Sequence, residues 1–152
     1  MQHERWMAEA LAEAKKASAL QEVPIGAVIV KDGEVLGRGH NLKETTGDPT
    51  AHAEILAIKD AAEKVGDWRL EGATIYVTLE PCPMCAGAIV QARLPRLVFG
   101  ADDPKAGACG SLLNLVEDQR FNHQVEVIKG ISAHHCRKLL QDFFQSLRKR
   151  EG

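Results

Sequence analysis

Three candidate metal ligands constrain the fold of this chain more than any other feature of its sequence. The chain reads His52-Ala53-Glu54 at one place and Pro81-Cys82-Pro83-Met84-Cys85 further along. One imidazole and two thiols at this spacing are typical zinc ligands, and three protein ligands leave the fourth position of a tetrahedral site open, as in catalytic zinc centres. The fold must therefore bring two distant segments together at one point.

The residues around these ligands indicate how that happens. Pro83 suits the first position of a helix, so the cysteines on either side of it share one face. His52 and Glu54 are two positions apart and would point in different directions in the middle of a helix. They can face one site only near a helix start, which Pro49-Thr50 can supply. We expect two helix N-termini to meet at the metal, where their positive ends favour thiolates.

Helices and strands alternate along the rest of the chain. Asp32-Gly33 between two apolar runs indicates a tight hairpin, and Gly66 suits a helix end. Predicted helices cover residues 3–20, 50–65, 83–92, 111–117 and 132–150, and predicted strands cover residues 24–30, 34–40, 74–79, 96–100 and 125–129, with loops at 41–49 and 102–110. This order favours one layered α/β domain over residues 1–152, with parallel strands after the first hairpin.

Composition limits the class of protein. Hydrophobic residues make up 45% of the 152 residues and charged residues 26%, as in ordinary globular chains. Apolar runs such as 25–30 are far too short to span a bilayer, so no membrane association is expected. Glu4, Glu9 and Glu13 do not fit a secretory or transit segment, and we expect a cytoplasmic protein. Four cysteines in that compartment indicate thiols or metal ligands.

A net charge of −2 means that any contact with nucleic acid needs a local basic patch. One candidate patch lies near the C-terminus and consists of Arg137, Lys138, Arg148, Lys149 and Arg150.

The form H-x-E followed by P-C-x-x-C is the signature of zinc-dependent base deaminases. On these residues the chain resembles the cytidine/deoxycytidylate deaminase superfamily, and within it the bacterial tRNA-specific adenosine deaminases, which convert the wobble adenosine of a tRNA to inosine. The resemblance covers nearly the whole chain. It implies a three-layer, cytidine-deaminase-like α/β fold with a five-stranded mixed sheet, one Zn²⁺ per chain, the tRNA anticodon stem-loop as partner, and a homodimer. An apolar stripe at residues 86–90 also suggested a dimer face.

The resemblance implies a role for each candidate site residue. His52, Cys82 and Cys85 would hold the metal, and Glu54 would carry the water proton to the ring and the leaving amine. It also implies that Asn41 and the backbone N–H of Ala53 bind the target base. Asp103 would accept a hydrogen bond from the ribose 2′-hydroxyl, and Lys105 would contact a phosphate.

Several alternatives remain open at this point. The three ligands could form a structural zinc site with Cys109, Cys136 or His134 as the fourth ligand, or could be unrelated core residues. A deaminase of guanine, cytosine or a free nucleoside such as cytidine would share the metal motif. A non-catalytic zinc module that only binds RNA would have no need of Glu54. Asn41, the Asp103 loop and the basic last helix favour the RNA substrate.

Overall fold

A five-stranded sheet with helices on both faces organises residues 2–151, the part of the chain that this computed structural model describes. The helices are α1 (His3–Ala19), α2 (Lys43–Thr46), α3 (Ala53–Val65), α4 (Pro83–Gln91) and α5 (Ala133–Glu151), and the strands are β1 (Gly26–Lys31), β2 (Glu34–His40), β3 (Thr74–Leu79), β4 (Arg96–Ala101) and β5 (Glu126–Lys129). Among the helices of residues 2–151, none is long and apolar enough to cross a membrane.

The sheet is mixed and has the strand order β2-β1-β3-β4-β5. Strand β1 runs antiparallel to both β2 and β3, whereas β3, β4 and β5 are parallel. Asp32 and Gly33 form the predicted tight turn between β1 and β2, with positive φ angles of 51° and 75°. The predicted α/β fold class and the parallel strands after the first hairpin are confirmed.

Alternate strand residues face opposite layers of helices. Ile75 and Val77 pack in one core beneath α3 and α4, while Tyr76 between them belongs to a second core with Trp6 and Met7 of α1. Helix α5 contributes to that second core and packs along β4. The carboxyl ends of β3 and β4 therefore meet the N-termini of α3 and α4 at one edge of the molecule.

Helix α3 packs very close to β2 because small residues meet on both sides. A Cβ atom added at Gly39 would lie 2.4 Å from the carbonyl oxygen of Ala53, and one at Gly37 would lie 2.4 Å from that of Ala57. Both alanines are fully buried. This contact between backbones fixes the height at which α3 begins, and with it the positions of His52 and Glu54.

Two predicted elements differ in the structure. The segment 41–49 is not all loop, because it contains the one-turn helix α2, whose N–H groups at Glu44 and Thr45 donate to the buried carboxylate of Glu22. The helix predicted at 111–117 is wrong: these residues form turns, and Cys109 makes an isolated antiparallel bridge with Asn114. Contacts with other parts of the chain determine the conformation of both segments, and the local sequence does not reveal these contacts.

The apolar stripe of α4 is largely used within the chain. Ala86, Ile89 and Val90 are buried in the core beneath α3 and α4, and only Gly87 and Ala88 are half-buried. This stripe therefore does not supply a free dimer face of the kind expected from the sequence.

Candidate active site

The three candidate metal ligands lie at the start of two helices, as predicted. His52 is the N-cap of α3 and Cys82 is the N-cap of α4, both with extended backbone, and Pro83 occupies the first turn of α4. Helix α3 begins at Ala53 and not at Thr50, because the Thr50 N–H and hydroxyl both bond to Asp48. The helix start is therefore placed so that His52 and Glu54 can face one site.

The ligand atoms converge. The Nδ1 atom of His52 lies 3.6 Å from the Cys82 sulfur and 3.5 Å from the Cys85 sulfur. Within residues 2–151, His52, Cys82 and Cys85 form a group whose ligand atoms all lie within 4.8 Å of one another, and Cys109, Cys136 and His134 do not belong to it. The arrangement can hold a metal ion with three protein ligands.

The local electrostatics favour an anionic ligand at Cys82. Hydrogen bonding by the Cys85 thiol and by the backbone N–H groups of Met84 and Cys85 lowers the pKa of Cys82 to about 5. These N–H groups belong to the first turn of α4, where helical acceptors are missing.

Glu54 is a buried carboxyl group beside the three ligands. It lies in the first turn of α3 with only 4% of its surface exposed. Burial raises the pKa of Glu54 to about 7, and the charge of Cys82 contributes in the same direction. The group can thus exist in both protonation states near neutral pH.

A cavity of about 410 Å³ opens next to this cluster, and we call it the target cavity. Such a volume lies within the range of about 300–1,000 Å³ that is common for small-molecule sites. Its wall includes all but two of the residues singled out from the sequence: Asn41, His52, Ala53, Glu54, Asp103 and Lys105. The remaining two, Cys82 and Cys85, contact His52 through their sulfur atoms.

The polar residues of the target cavity are held in place by the backbone. The Asn41 side chain is buried, and its Oδ1 accepts a hydrogen bond of 3.2 Å from the Lys43 N–H. Asp103 Oδ1 accepts bonds from the N–H groups of Lys105 and Ala106, at 3.1 and 3.2 Å. Asp103 is thus both a turn-forming acid and a wall residue of the cavity.

Sequence reasoning missed more than half of the cavity wall. The missed residues are mostly apolar: Val23, Ile25, Lys43, Leu79, Ala106, Leu140 and Phe144. Lys43 could have been noticed as a basic residue two positions after Asn41. The others carry no local signal, because an apolar side chain in a cavity wall looks like a core residue in the sequence.

Comparison with known proteins agrees with this geometry. A family model described as MafB19-like deaminase matches residues 1–148. A tRNA-specific adenosine deaminase from Bacillus subtilis (strain 168) is 55% identical over 150 residues, covering 99% of this chain and 93% of that protein. One from Haemophilus influenzae is 49% identical, covering 96% of this chain and 85% of that protein.

One solved structure agrees with this assignment, and a more distant one shows the shared fold. A structure from a study of A-to-I editing by tRNA:A34 deaminases at the wobble position is 46% identical, has a TM-score of 0.86, and is matched over 90% of this chain and 99% of its own. The guanine deaminase from Nitrosomonas europaea is 22% identical with a TM-score of 0.81, over 92% of this chain and 83% of its own, and shares the fold. The chain therefore belongs to the MafB19-like deaminases and to the family of tRNA-specific adenosine deaminases.

Proposed function

We propose that this protein is a zinc-dependent hydrolase that deaminates the wobble adenosine of a tRNA to inosine. The observation that carries the proposal is the target cavity, where Glu54 and a three-ligand metal group stand beside Asn41 and Asp103. Full-length similarity to tRNA-specific adenosine deaminases supports the substrate.

The ligand geometry suits zinc. With Zn–N of about 2.0–2.1 Å and Zn–S of about 2.3 Å, a tetrahedral site requires nitrogen and sulfur ligands about 3.5–3.6 Å apart. The two separations from His52 Nδ1, 3.6 and 3.5 Å, meet this requirement. A zinc ion held there supplies Lewis acidity that makes water a better nucleophile.

Glu54 is placed to move the protons. Its carboxylate takes a proton from the attacking water and delivers it to N1 of adenine. It then carries the proton of the new C6 hydroxyl to the amine, which leaves as ammonia. Water adds at C6 and ammonia departs, which turns adenosine into inosine. Because Glu54 is buried and lines the target cavity, a base bound in the cavity would separate it from bulk water.

The cavity wall offers matching contacts for a purine nucleoside. Val23, Ile25 and Phe144 provide apolar surface for the ring, and the Asn41 amide provides both donor and acceptor for its polar edge. The N–H of Ala53 has no acceptor within its helix, since Ala53 is the first residue of α3. Asp103 can accept a hydrogen bond from a ribose 2′-hydroxyl.

An RNA substrate also needs positive charge near the cavity. Lys43 and Lys105 are exposed at the cavity, and the five basic residues predicted as a patch on α5 are exposed as well. An anticodon loop is single-stranded, and its bases can be turned outward into such a cavity. These charges would contact its phosphates.

Metal analysis tests the zinc site. The wild-type protein should carry one zinc per chain, and Cys109→Ala and Cys136→Ala should keep it, because neither thiol belongs to the ligand group within residues 2–151. Cys82→Ala should lose it. Loss of zinc in Cys109→Ala or Cys136→Ala would instead indicate a closed structural site.

We further propose a homodimer. Large apolar side chains are exposed on the first turn of α4 and on the loop after β4, with Met84 at 36%, Leu113 at 50% and Leu112 at 60%. A symmetric pair would cover such side chains. Light scattering should give about twice the chain mass of 16.6 kDa, and a mass of one chain at working concentrations would remove this proposal.

Parallel incubations with RNA and with small molecules test which class of substrate the protein deaminates. Purified protein is incubated with an anticodon stem-loop RNA that carries adenosine at the wobble position, and in parallel with free guanine, cytosine and cytidine. We expect inosine in the RNA and no ammonia from the small molecules. Ammonia from a small molecule with unchanged RNA would favour the small-molecule deaminase. Stoichiometric RNA binding with no inosine would favour the non-catalytic module.

A further inference from the structure

Glu80 is a buried carboxylate that the mechanism above does not use. It follows the last residue of β3, stands two positions before Cys82, and is only 2% exposed. Burying a charged group is costly unless it is fully hydrogen-bonded, so a buried acid at this position needs several donors.

All of the donors to Glu80 come from one loop. Glu80 Oε1 accepts from the Asp103 N–H at 2.9 Å and from the Ser111 hydroxyl. Glu80 Oε2 accepts from the N–H groups of Cys109 and Ser111, both at 3.0 Å. The loop 102–111, which follows β4, therefore folds around the single carboxylate of Glu80, which follows β3.

The backbone of the loop packs directly against the Glu80 side chain at Gly107. A Cβ atom added at Gly107 would lie 2.3 Å from Glu80 Cδ and 2.5 Å from the Asp103 carbonyl oxygen. The Ala108 N–H also donates to the Pro81 carbonyl oxygen at 2.9 Å. The loop is thus fastened to the two residues that lead directly into the metal-ligand turn at Cys82.

The same loop forms part of the target cavity. Asp103, Lys105 and Ala106 line the cavity, and the Asp103 side chain joins these three residues into one turn. The bond from the Asp103 N–H to Glu80 is an anchor of that turn. Loss of this bond would therefore loosen the turn that carries Asp103 and Lys105.

We propose that Glu80 is a positioning residue, which holds the loop 102–111 so that Asp103 and Lys105 face the target nucleotide. The inference rests on the proposed function, because it takes the RNA nucleotide as the ligand of that loop. Glu80 acts through Asp103 and Lys105 and does not itself touch substrate.

Steady-state kinetics on the anticodon stem-loop RNA test this role in Glu80→Gln. The glutamine replaces one acceptor oxygen with an NH₂ group that faces N–H donors, so at least one anchor is lost. We expect KM to rise by about tenfold, with kcat within about twofold of the wild-type value and zinc content unchanged.

Tyr76→Phe is the matched control. Tyr76 lies on β3, the strand that precedes Glu80, but faces α1, where its hydroxyl bonds to His3 Nδ1 at 2.8 Å. Tyr76→Phe removes one buried hydrogen bond between residues that do not line the target cavity, so KM should not change. An equal rise of KM in both variants would show that Glu80 has only a structural role. A fall of kcat at unchanged KM in Glu80→Gln would show that Glu80 affects the chemical step and does not position the loop. Loss of zinc would show that it supports the metal turn instead.

A double variant shows whether Glu80 acts through Asp103. If it does, Glu80→Gln should raise KM much less in an Asp103→Asn background than in the wild type. If the KM increases of the two single variants simply multiply in the double variant, Glu80 does not act through Asp103.

Amide hydrogen exchange adds a readout that does not need activity. The N–H groups of Asp103, Cys109 and Ser111 should exchange faster in Glu80→Gln and at the wild-type rate in Tyr76→Phe. If the wild type fails to deaminate the RNA, the proposed function fails, while exchange still decides whether Glu80 anchors the loop. Unchanged exchange at these amides would overturn the inference.

Discussion

Glu54 carries the chemical part of the proposal because it stands beside the three metal ligands without being one of them. Its position in the first turn of α3 and its burial follow from the start of that helix at Ala53. A carboxylate placed in this way can serve a proton transfer, which a structural zinc site would not require.

Glu54→Ala should keep the fold and the zinc and lose turnover. Removing a positioned acid–base group costs about a hundredfold to ten-thousandfold in rate. Single-turnover deamination of the RNA hairpin and metal analysis measure the two properties, with Glu63→Ala on the exposed side of α3 as the control. Full activity would remove Glu54 from the mechanism, and loss of zinc would make it a ligand.

Asp103→Asn tests how RNA is distinguished from DNA. The Asn oxygen can still accept the N–H groups of Lys105 and Ala106, so the turn should persist while the charge is lost. A carboxylate stranded against a deoxyribose costs about 1–3 kcal/mol, so we expect the RNA-to-DNA preference to fall by about tenfold. Matched hairpins that differ only in the target sugar measure this ratio.

Asp102→Asn, at the neighbouring exposed acid, should leave the ratio unchanged. If Asp103→Asn also leaves it unchanged, Asp103 is a turn-forming acid alone, and the sugar is recognised elsewhere.

The polar site residues could be predicted from the sequence, but the apolar ones could not. His52, Cys82, Asn41 and Asp103 belong to short motifs, and the structure gathers them around the target cavity. Phe144 lies on the last helix, far from any motif, and reaches the cavity only because α5 packs beside β4. Such contacts depend on tertiary packing, which single-sequence patterns do not contain.

Helices and strands could be predicted where the local sequence pattern favours the same conformation as the tertiary packing. The bounds of β2 and β3 match the prediction because alternating or apolar runs end there at turn residues. Helix α2 was missed because its four residues have no apolar period, and the carboxylate of Glu22 satisfies its first N–H groups. The segment 111–117 was wrongly predicted as a helix because Glu80 binds the Ser111 N–H and hydroxyl instead.

The close packing of α3 on β2 predicts that a larger residue at Gly39 would destabilise the protein. Gly39→Ala would place a methyl group 2.4 Å from the Ala53 carbonyl oxygen, and backbone on both sides cannot yield easily. We expect the free energy of unfolding to fall by about 1–3 kcal/mol, and zinc affinity to fall as His52 shifts.

Urea unfolding of the zinc-loaded protein measures the first effect, and competition with a chelator measures the second. Glu34→Ala, at an exposed position of the same strand, should change stability by less than about 0.5 kcal/mol. Wild-type stability in Gly39→Ala would show that α3 is not held by this contact.

Across the whole molecule, the sheet brings the ends of β3 and β4 and the starts of α3 and α4 to one edge. The metal ligands and Glu54 come from the two helix starts, and the Asp103 loop follows β4. Exposed positive charge lies at Lys43, Lys105 and along α5. Under the proposed function, the target cavity and these positive charges would together receive the single-stranded anticodon loop.

The proposed activity is the deamination of adenosine within tRNA. Its most direct test is incubation of the protein with an unmodified tRNA pool, followed by sequencing, in which inosine is read as guanosine. We expect A-to-G changes at the wobble position of one or a few tRNAs, and no such changes with Glu54→Ala. An unchanged tRNA pool with the zinc-loaded protein would contradict the proposed activity, and changes that persist with Glu54→Ala would contradict the role of Glu54.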